Sequence, residues 1–294
     1  MKEILKKAQK EHYALGAFNF STAEILKATV LAAKELSSPI IVATSEGEGG
    51  FIGFREAAAL VGVWREAAKL PIILNLDHGK NLDIIKKAVA AGYDAVHFDG
   101  SGLSYKENIE QTSKAVKYIR EYSKTFDRDV IIEGEIGYLR GASSLHQEKL
   151  EIKESDLTSP EQALDFIEQT GVDSLAIVIG NAHGVFAAGE EKLHLDRLAA
   201  IKKEVGDKVF LVLHGGSGIP AEDVKKAIEL GIVKVNINTE LRLAYKAGLE
   251  KEFAASPSET TPYKMLQPSI DEVKKVVMEK IKLFGSENKI NINN

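Results

Sequence analysis

Three times in this chain a glycine closes a helical pattern and a short, largely β-branched run follows at once. The segments are Gly92-Tyr93-Asp94-Ala95-Val96-His97-Phe98-Asp99, Gly171-Val172-Asp173-Ser174-Leu175-Ala176-Ile177-Val178-Ile179-Gly180 and Gly231-Ile232-Val233-Lys234-Val235-Asn236-Ile237-Asn238-Thr239. Glycine just past a helix end adopts the left-handed conformation that stops the helix. An apolar run too short for a helix reads as a strand buried on both faces. Helix, cap and strand in alternation are the pattern of βα units in a parallel sheet.

The same reading along the whole chain gives eight strands, beginning near Ala14, Pro39, Pro71, Ala95, Val130, Ser174, Lys208 and Val233, with helical patterns between them. Eight units in 294 residues predict an α/β fold, a closed (β/α)8 TIM barrel. An open, doubly wound sheet is the alternative. Its Gly-x-Gly-x-x-Gly turn is missing, because Ser45-Glu46-Gly47-Glu48-Gly49-Gly50 does not fit that spacing and reads as a flexible turn. Helical pattern continues after Thr239, and Ile270 to Leu283 is amphipathic. The expectation is one domain over 1–294, with a helical C-terminal extension over about 240–284 and a frayed tail over 285–294.

Composition narrows the function classes. The formal charge of -5 and the lack of a basic stripe argue against a nucleic-acid partner. There is no cysteine, so any metal must be held by His, Asp and Glu. Met1 to Lys7 lacks the apolar run of a signal peptide, and no stretch reaches the about 18 apolar residues of a membrane span. A cytoplasmic protein with no membrane partner is the expectation.

In a barrel the C-terminal strand ends share one mouth, where chemistry sits. Here those ends are Asn19, Ser45, Asp77-His78, Asp99, Glu133 and Glu135, Asn181 and His183, His214, and Asn236-Ile237-Asn238-Thr239. Three imidazoles with an open position are a common catalytic metal set, which makes His78, His183 and His214 candidate ligands. Asp99 and Glu135 either bind a second cation, divalent or monovalent, or support the first; Asp99 alone reads equally as a loop cap. His12, His97, His146 and His194 read as structural or solvated.

The organising stretch is Leu211-Val212-Leu213-His214-Gly215-Gly216-Ser217-Gly218, with Pro220 opening a helical pattern. Barrel phosphate sites are often built by the loops after strands seven and eight. Gly215, Gly216 and Ser217 lie in the first such loop, and Asn236 to Thr239 in the second. Backbone N–H groups there can approach an anion. From the residues alone, the chain is a metal-dependent barrel enzyme acting on a small phosphorylated substrate.

Together the motifs resemble a known family. Leu76-Asp77-His78, Gly180-Asn181-Ala182-His183-Gly184, Leu213-His214-Gly215-Gly216-Ser217-Gly218 and Lys234-Val235-Asn236-Ile237-Asn238-Thr239-Glu240 look like the class II, zinc-dependent ketose-bisphosphate aldolases. Phe18-Asn19, Phe98-Asp99-Gly100-Ser101 and Glu133-Gly134-Glu135-Ile136-Gly137 add to the match, which runs nearly the length of the chain. The resemblance implies cleavage of fructose-1,6-bisphosphate or tagatose-1,6-bisphosphate, a catalytic Zn2+, and a homodimer or homotetramer. It makes His78, His183 and His214 the zinc ligands, Asp77 the acid–base residue, and Asp99 and Glu135 a second metal position. It places Gly184, Gly215, Gly216, Ser217, Asn236, Ile237, Asn238 and Thr239 around the dihydroxyacetone phosphate half, with Asn19 and Ser45 near the substrate.

One departure stands out. The family follows its Glu-x-Gly segment with a Gly-Gly-x-Glu-Asp loop whose glutamate moves the proton beside the carbonyl. Here the segment is Tyr138-Leu139-Arg140-Gly141-Ala142-Ser143-Ser144, without the acidic pair. Glu148 is the nearest carboxylate to replace it. Tyr138 to Leu157 is long and rich in Gly, Ser and charge, which predicts a mobile lid with little apolar anchoring. A sugar-phosphate isomerase or epimerase and a non-catalytic sugar-phosphate binder are the other readings.

Overall fold

The computed structural model describes residues 1–146, 151–186 and 192–290. Its strands are β1 (Leu15–Asn19), β2 (Ile40–Ser45), β3 (Ile72–Gly79), β4 (Ala95–Phe98), β5 (Ile131–Ile136), β6 (Gly141–His146), β7 (Ser174–Ile177), β8 (His183–Phe186), β9 (Phe210–Leu213) and β10 (Ile232–Ile237). Among the described residues, eight strands close a barrel in the order β1-β10-β9-β7-β5-β4-β3-β2, all pairs parallel. β6 and β8 pair separately as a short parallel ribbon. The helices are α1 (Lys2–Lys10), α2 (Ala23–Glu35), α3 (Glu46–Ile52), α4 (Phe54–Ala68), α5 (Leu82–Ala91), α6 (Tyr105–Phe126), α7 (Pro160–Thr170), α8 (Leu195–Val205), α9 (Ala221–Glu229), α10 (Thr239–Ala255) and α11 (Pro262–Leu283). The (β/α)8 barrel with a C-terminal helical extension is therefore the fold. Among the described residues, no helix is long and apolar enough to cross a membrane.

Local chemistry sets the element ends. Gly92 and Gly171 close α5 and α7 in left-handed conformation. Ser159 caps α7 reciprocally with Gln162, and Pro160 takes the first helical position, where its missing N–H costs nothing.

Alternation along each strand divides the barrel interior into layers. Leu15, Ala17, Ile41, Ile73, Ala95, Ile131, Phe210 and Val233 pack at one end, against Leu5, Ala8 and Tyr13. Further along the same faces the side chains turn polar yet stay buried: Asn19, Asn75 and Asp77, His97 and Asp99, Glu133 and Glu135. A second apolar layer, including Val42, Leu74, Val96, Ile132, Leu175 and Leu211, joins the strands to the surrounding helices. The interior thus has an apolar floor and a polar mouth, and β1, β3, β4 and β5 contribute to both by their period of two.

Four segments differ from the sequence expectation. Ser45 to Gly50 is not a flexible turn: Ser45 and Glu48 form a capping box that starts α3. The last long helix begins at Pro262, well before Ile270, and carries Pro268 inside it. Gly248 of α10 makes this possible, since a Cβ there would lie 2.4 Å from the Cα of Ser269. The tail through Ile290 is docked, not frayed: Asn288 and Ile290 donate backbone N–H groups to Leu36 and Ser37 carbonyls, and Ser38 donates to a fully buried Ser286. The segment after β5 is anchored at both ends by Leu139 and Leu157 against Val178, and by a paired Arg140 and Asp156.

Candidate active site

The site starts from an irregularity. On β3, Leu76 faces Val96 of β4 and Gly79 faces Phe98, so three steps on one strand match two on the other. The extra residue is a β-bulge, which re-aims side chains. His78 sits there at a φ of 52°, in the left-handed region. That conformation costs on the order of 1–2 kcal/mol for a residue with a side chain. Two contacts hold it: the His78 backbone N–H donates to Nδ1 of His97 at 3.2 Å, and the His78 ring Nδ1 lies 2.7 Å from Oδ2 of Asp99. Neighbours on a regular strand face opposite sides. The bulge lets Asp77 and His78 share the mouth, with His78 Nε2 3.9 Å from Asp77 Oδ1.

The imidazoles are oriented from behind by carboxylates. Asp99 takes the Nδ1 side of His78, leaving Nε2 inward. Glu133 lies 2.9 Å from Nε2 of His214, leaving Nδ1 inward. The two inward nitrogens are 3.1 Å apart. Neutral imidazoles so held point two lone pairs at one place, which calls for a cation between them. Tetrahedral zinc with bonds of about 2.0–2.1 Å would set two nitrogens roughly 3.3 Å apart, so the pair fits. Carboxylates on the far nitrogens are the usual support of metal-binding histidines.

Donor atoms of Asp77, His78, His97 and His214 all lie within 4.8 Å of one another, and so do those of His78, Asp99 and Glu135. His97, which the sequence alone presents as structural, stands inside the site, its ring 4.7 Å from that of His78 and 4.8 Å from that of His214. Its Nδ1 accepts the His78 N–H and its Nε2 lies 3.1 Å from Glu135 Oε2, at an angle that leaves both atoms without a formed hydrogen bond. With Nδ1 so engaged, His97 shapes the cluster more than it offers a lone pair. His183, at the start of β8, is half-buried a little further out, its ring 4.9 Å from that of His78 and 6.5 Å from that of His214. It does not join the tight cluster.

Charges settle the protonation. Burial works to neutralise Asp77, but His78, His214, Lys234 and His97 together hold its carboxyl well below the usual range. Burial likewise opposes ionised Glu133, and Lys234 and His214 overcome it. Asp99 is held down, against its burial, by the His78 hydrogen bond and by His97 and Lys80. Burial lowers His78, yet Asp77, Asp99 and Glu135 raise it to about 9. Burial and the neighbouring histidines lower His183 to about 4, so it is neutral near pH 7. A cluster this rich in carboxylate holds a proton where it could hold a metal.

Asp77 is fixed by two amides. Asn19 donates to Oδ2 and Asn236 to Oδ1, both at 3.0 Å. The Asn19 amide also reaches Glu48 Oε2 at 3.0 Å, and Asn238 donates to the other Glu48 oxygen at 3.4 Å. Burial pushes the Glu48 carboxyl up, against the Ser45 N–H and the Asn19 amide that stabilise its charge.

One cavity gathers most of the residues expected from sequence: Asn19, Asp77, His183, Gly184, His214, Gly215, Ser217, Asn236, Asn238 and Thr239. Gly215 has a φ of 64°, and a Cβ there would lie 2.0 Å from the Ala182 carbonyl oxygen, so only glycine fits. Gly216 donates its N–H to the Asn236 carbonyl at 3.0 Å, tying the loop after β9 to the end of β10. α10 starts at Thr239 beside this cavity, and its Glu240 N–H donates to Ser217 Oγ at 3.4 Å. Ile237 turns its side chain into the outer apolar layer, so only its backbone belongs to the site. Ser45 spends its hydroxyl on the Glu48 N–H. Glu148 lies outside the described residues.

Sequence reading missed His97, Glu48 and the buried Lys234–Glu133 pair at 2.7 Å. His97 had a signal: it sits two residues before Asp99, on the same face of β4. Glu48 had one too, three residues after Ser45 in the capping-box pattern. Glu133 reads from the sequence as a barrel-interior partner for a cation, but nothing named Lys234 as that cation, since the pairing spans the barrel.

The family model described as fructose-bisphosphate aldolase class-II matches residues 1–289. The YdjI aldolase from Escherichia coli K12 is 32% identical and superimposes with a TM-score of 0.81, covering 98% of this chain and 97% of that one. The fructose-bisphosphate aldolase from Campylobacter jejuni is 23% identical at a TM-score of 0.81, covering 98% and 95%, a likeness of fold.

Proposed function

The chain belongs to the class II fructose-bisphosphate aldolase family, and we propose that it reversibly cleaves fructose-1,6-bisphosphate to dihydroxyacetone phosphate and glyceraldehyde 3-phosphate. The observation that carries this reading is the pair of inward imidazole nitrogens of His78 and His214, 3.1 Å apart beside an ionised Asp77. His78 and His214 would hold the catalytic Zn2+, with His183 as the third ligand. When bound, the ion supplies Lewis acidity at the ketose carbonyl.

The chain's own residues do the rest. Asp77, with its carboxylate oxygens fixed by Asn19 and Asn236, accepts the proton of the C4 hydroxyl as the C3–C4 bond breaks. In condensation it returns that proton to the aldehyde oxygen. Gly184, Gly215, Gly216, Ser217 and the backbone of Asn236 to Thr239 receive the phosphate at the start of α10 and orient the three-carbon fragment. Asn19 and Ser45 are our further candidates for contact with the substrate. Glu148 is our candidate for the proton at C3 of dihydroxyacetone phosphate.

A second cation, divalent or monovalent, has one observation in its favour. Both oxygens of Glu135 are buried without a hydrogen bond, 3.7 Å from His78 at the nearer approach, and Asp99 shares the group. A homodimer or homotetramer would cover Phe51, Phe253 and Tyr263, which stand exposed on the surface.

The test is turnover of the zinc-loaded protein on fructose and tagatose bisphosphates, followed by triose phosphate release. Cleavage that chelation abolishes and Zn2+ or Co2+ restores supports the reading. Preference for the tagatose sugar replaces the substrate and keeps the reaction. Interconversion of sugars without aldehyde release, or phosphate binding without turnover, overturns it.

A further inference from the structure

Three asparagines, Asn19, Asn236 and Asn238, line one wall of the cavity. Each commits its amide NH2 to a carboxylate: Asn236 to Asp77, Asn238 to Glu48, and Asn19 to both. Each is left with a buried Oδ1 that has no hydrogen-bond partner. Buried acceptors without partners are costly, and three on one cavity wall point to a ligand that brings donors.

Glu48 sets this arrangement. Its carboxylate accepts the Ser45 N–H at 2.7 Å and its own N–H donates to Ser45 Oγ at 3.2 Å, so the side chain is pinned at the start of α3. A flipped Asn19 or Asn238 would bring a carbonyl oxygen against that carboxylate. The Glu48 carboxylate therefore turns the Asn238 oxygen away from itself, and Glu48 and Asp77 together do the same for Asn19. A wall of carbonyl oxygens backed by a carboxylate repels phosphate and accepts from hydroxyl groups. The glycine loops and the α10 N-terminus do the reverse. The cavity is thus divided between an anion-binding end and a hydroxyl-binding wall.

We propose that Glu48 is a specificity-determining positioning residue, which locks Asn238 as an acceptor, shares with Asp77 the locking of Asn19, and so selects a hydroxyl-bearing carbon chain beside the reacting carbons. This rests on the aldolase reading and names the part of the substrate that the wall meets.

The experiment is condensation of dihydroxyacetone phosphate with D-glyceraldehyde and with propionaldehyde, three-carbon aldehydes with and without hydroxyls. The wild type should prefer glyceraldehyde. Glu48→Gln has nearly the same shape but an ambivalent amide, which frees Asn238 to turn while Asp77 still holds Asn19. It should narrow the ratio of the two kcat/KM values by about tenfold, the scale of a hydrogen bond left unmade. Glu48→Asp, which keeps the charge on a shorter stem, should retain part of the preference. An unchanged ratio in Glu48→Gln, or an equal fall with both aldehydes, overturns the assignment and leaves Glu48 a helix cap. A wild type that condenses neither aldehyde and does not exchange the C3 proton of dihydroxyacetone phosphate defeats the aldolase reading, and this inference with it.

Discussion

Glu133 holds Nε2 of His214 at 2.9 Å from one carboxylate oxygen and Nζ of Lys234 at 2.7 Å from the other. All three side chains are buried inside the barrel, below the site. The lysine charge keeps Glu133 ionised, and the ionised carboxylate keeps the His214 proton on Nε2, away from the inward Nδ1. Lys234 therefore acts on the site through two intermediaries.

Removing either partner should show this. Glu133→Gln should weaken zinc affinity by ~10–100-fold, the usual effect of losing a carboxylate behind a metal-binding histidine. Lys234→Met should also destabilise the fold by about 3–5 kcal/mol, because it strands a buried carboxylate. Competition with a zinc-selective chelator and chemical unfolding measure the two effects. Unchanged zinc affinity in Glu133→Gln would remove Glu133 from the support of the site.

Asp77 contacts no ring closely but takes two amide hydrogen bonds, the arrangement of a base held in place rather than of a ligand. Asp77→Asn should lower kcat by ~10²–10⁴ with zinc content and KM nearly unchanged. Metal loss without a separate chemical defect would make Asp77 a ligand.

The metal-free site carries a proton that zinc must displace. His78 is raised to about 9 from an ordinary 6.5 by its carboxylate neighbours, against its burial. Zinc uptake at pH 7.5 should release about one proton per ion, read by calorimetry in buffers of different ionisation enthalpy. The same shift gives the stability of the metal-free protein a sign. A raised imidazole pKa favours the folded state fully below pH 6.5, and that contribution disappears as pH rises through about 9. Thermal melts should fall over that window without zinc and stay level with it. Zinc uptake with no proton release would mean that His78 is neutral in the free site.

How much of this was legible follows the range of each interaction. The eight strands could be read because each is a short apolar run between local stop signals, and α5 and α7 end at Gly92 and Gly171, where the sequence stops them. The strand-end residues could be read because a barrel gathers them whatever their spacing. The way Asp77 and His78 come to face the same mouth could not, since a bulge breaks the alternation on which orientation rests. Glu48 was hidden by its glycines: Gly47, Gly49 and Gly50 suggest a loose turn, although the Ser45–Glu48 cap starts a helix through them. Pro268 hid the first turns of α11 in the same way, as a breaker that the structure absorbs against Gly248. The Lys234–Glu133 pair needs the closed barrel to exist before the two meet.

The phosphate end can be tested at Gly215. Its φ of 64°, and the 2.0 Å that would separate an added Cβ from the Ala182 carbonyl oxygen, leave an alanine no place without moving a loop. Two loops meet there: the one after β7, which carries Ala182, His183 and Gly184, and the one after β9, which carries His214 to Ser217. Gly215→Ala should cost about 1–3 kcal/mol of stability through the strained backbone alone. It should cost more in function, because separating the loops spoils the phosphate cradle while His78 and Asp99 on the far side keep their positions. The expected result in the zinc-loaded variant is a KM for the ketose bisphosphate raised by at least about tenfold, with inorganic phosphate no longer competing, and a lowered zinc affinity because His183 and His214 move with the two loops. A variant that melts lower but keeps its KM would show that the glycine serves the turn alone and that the phosphate binds elsewhere.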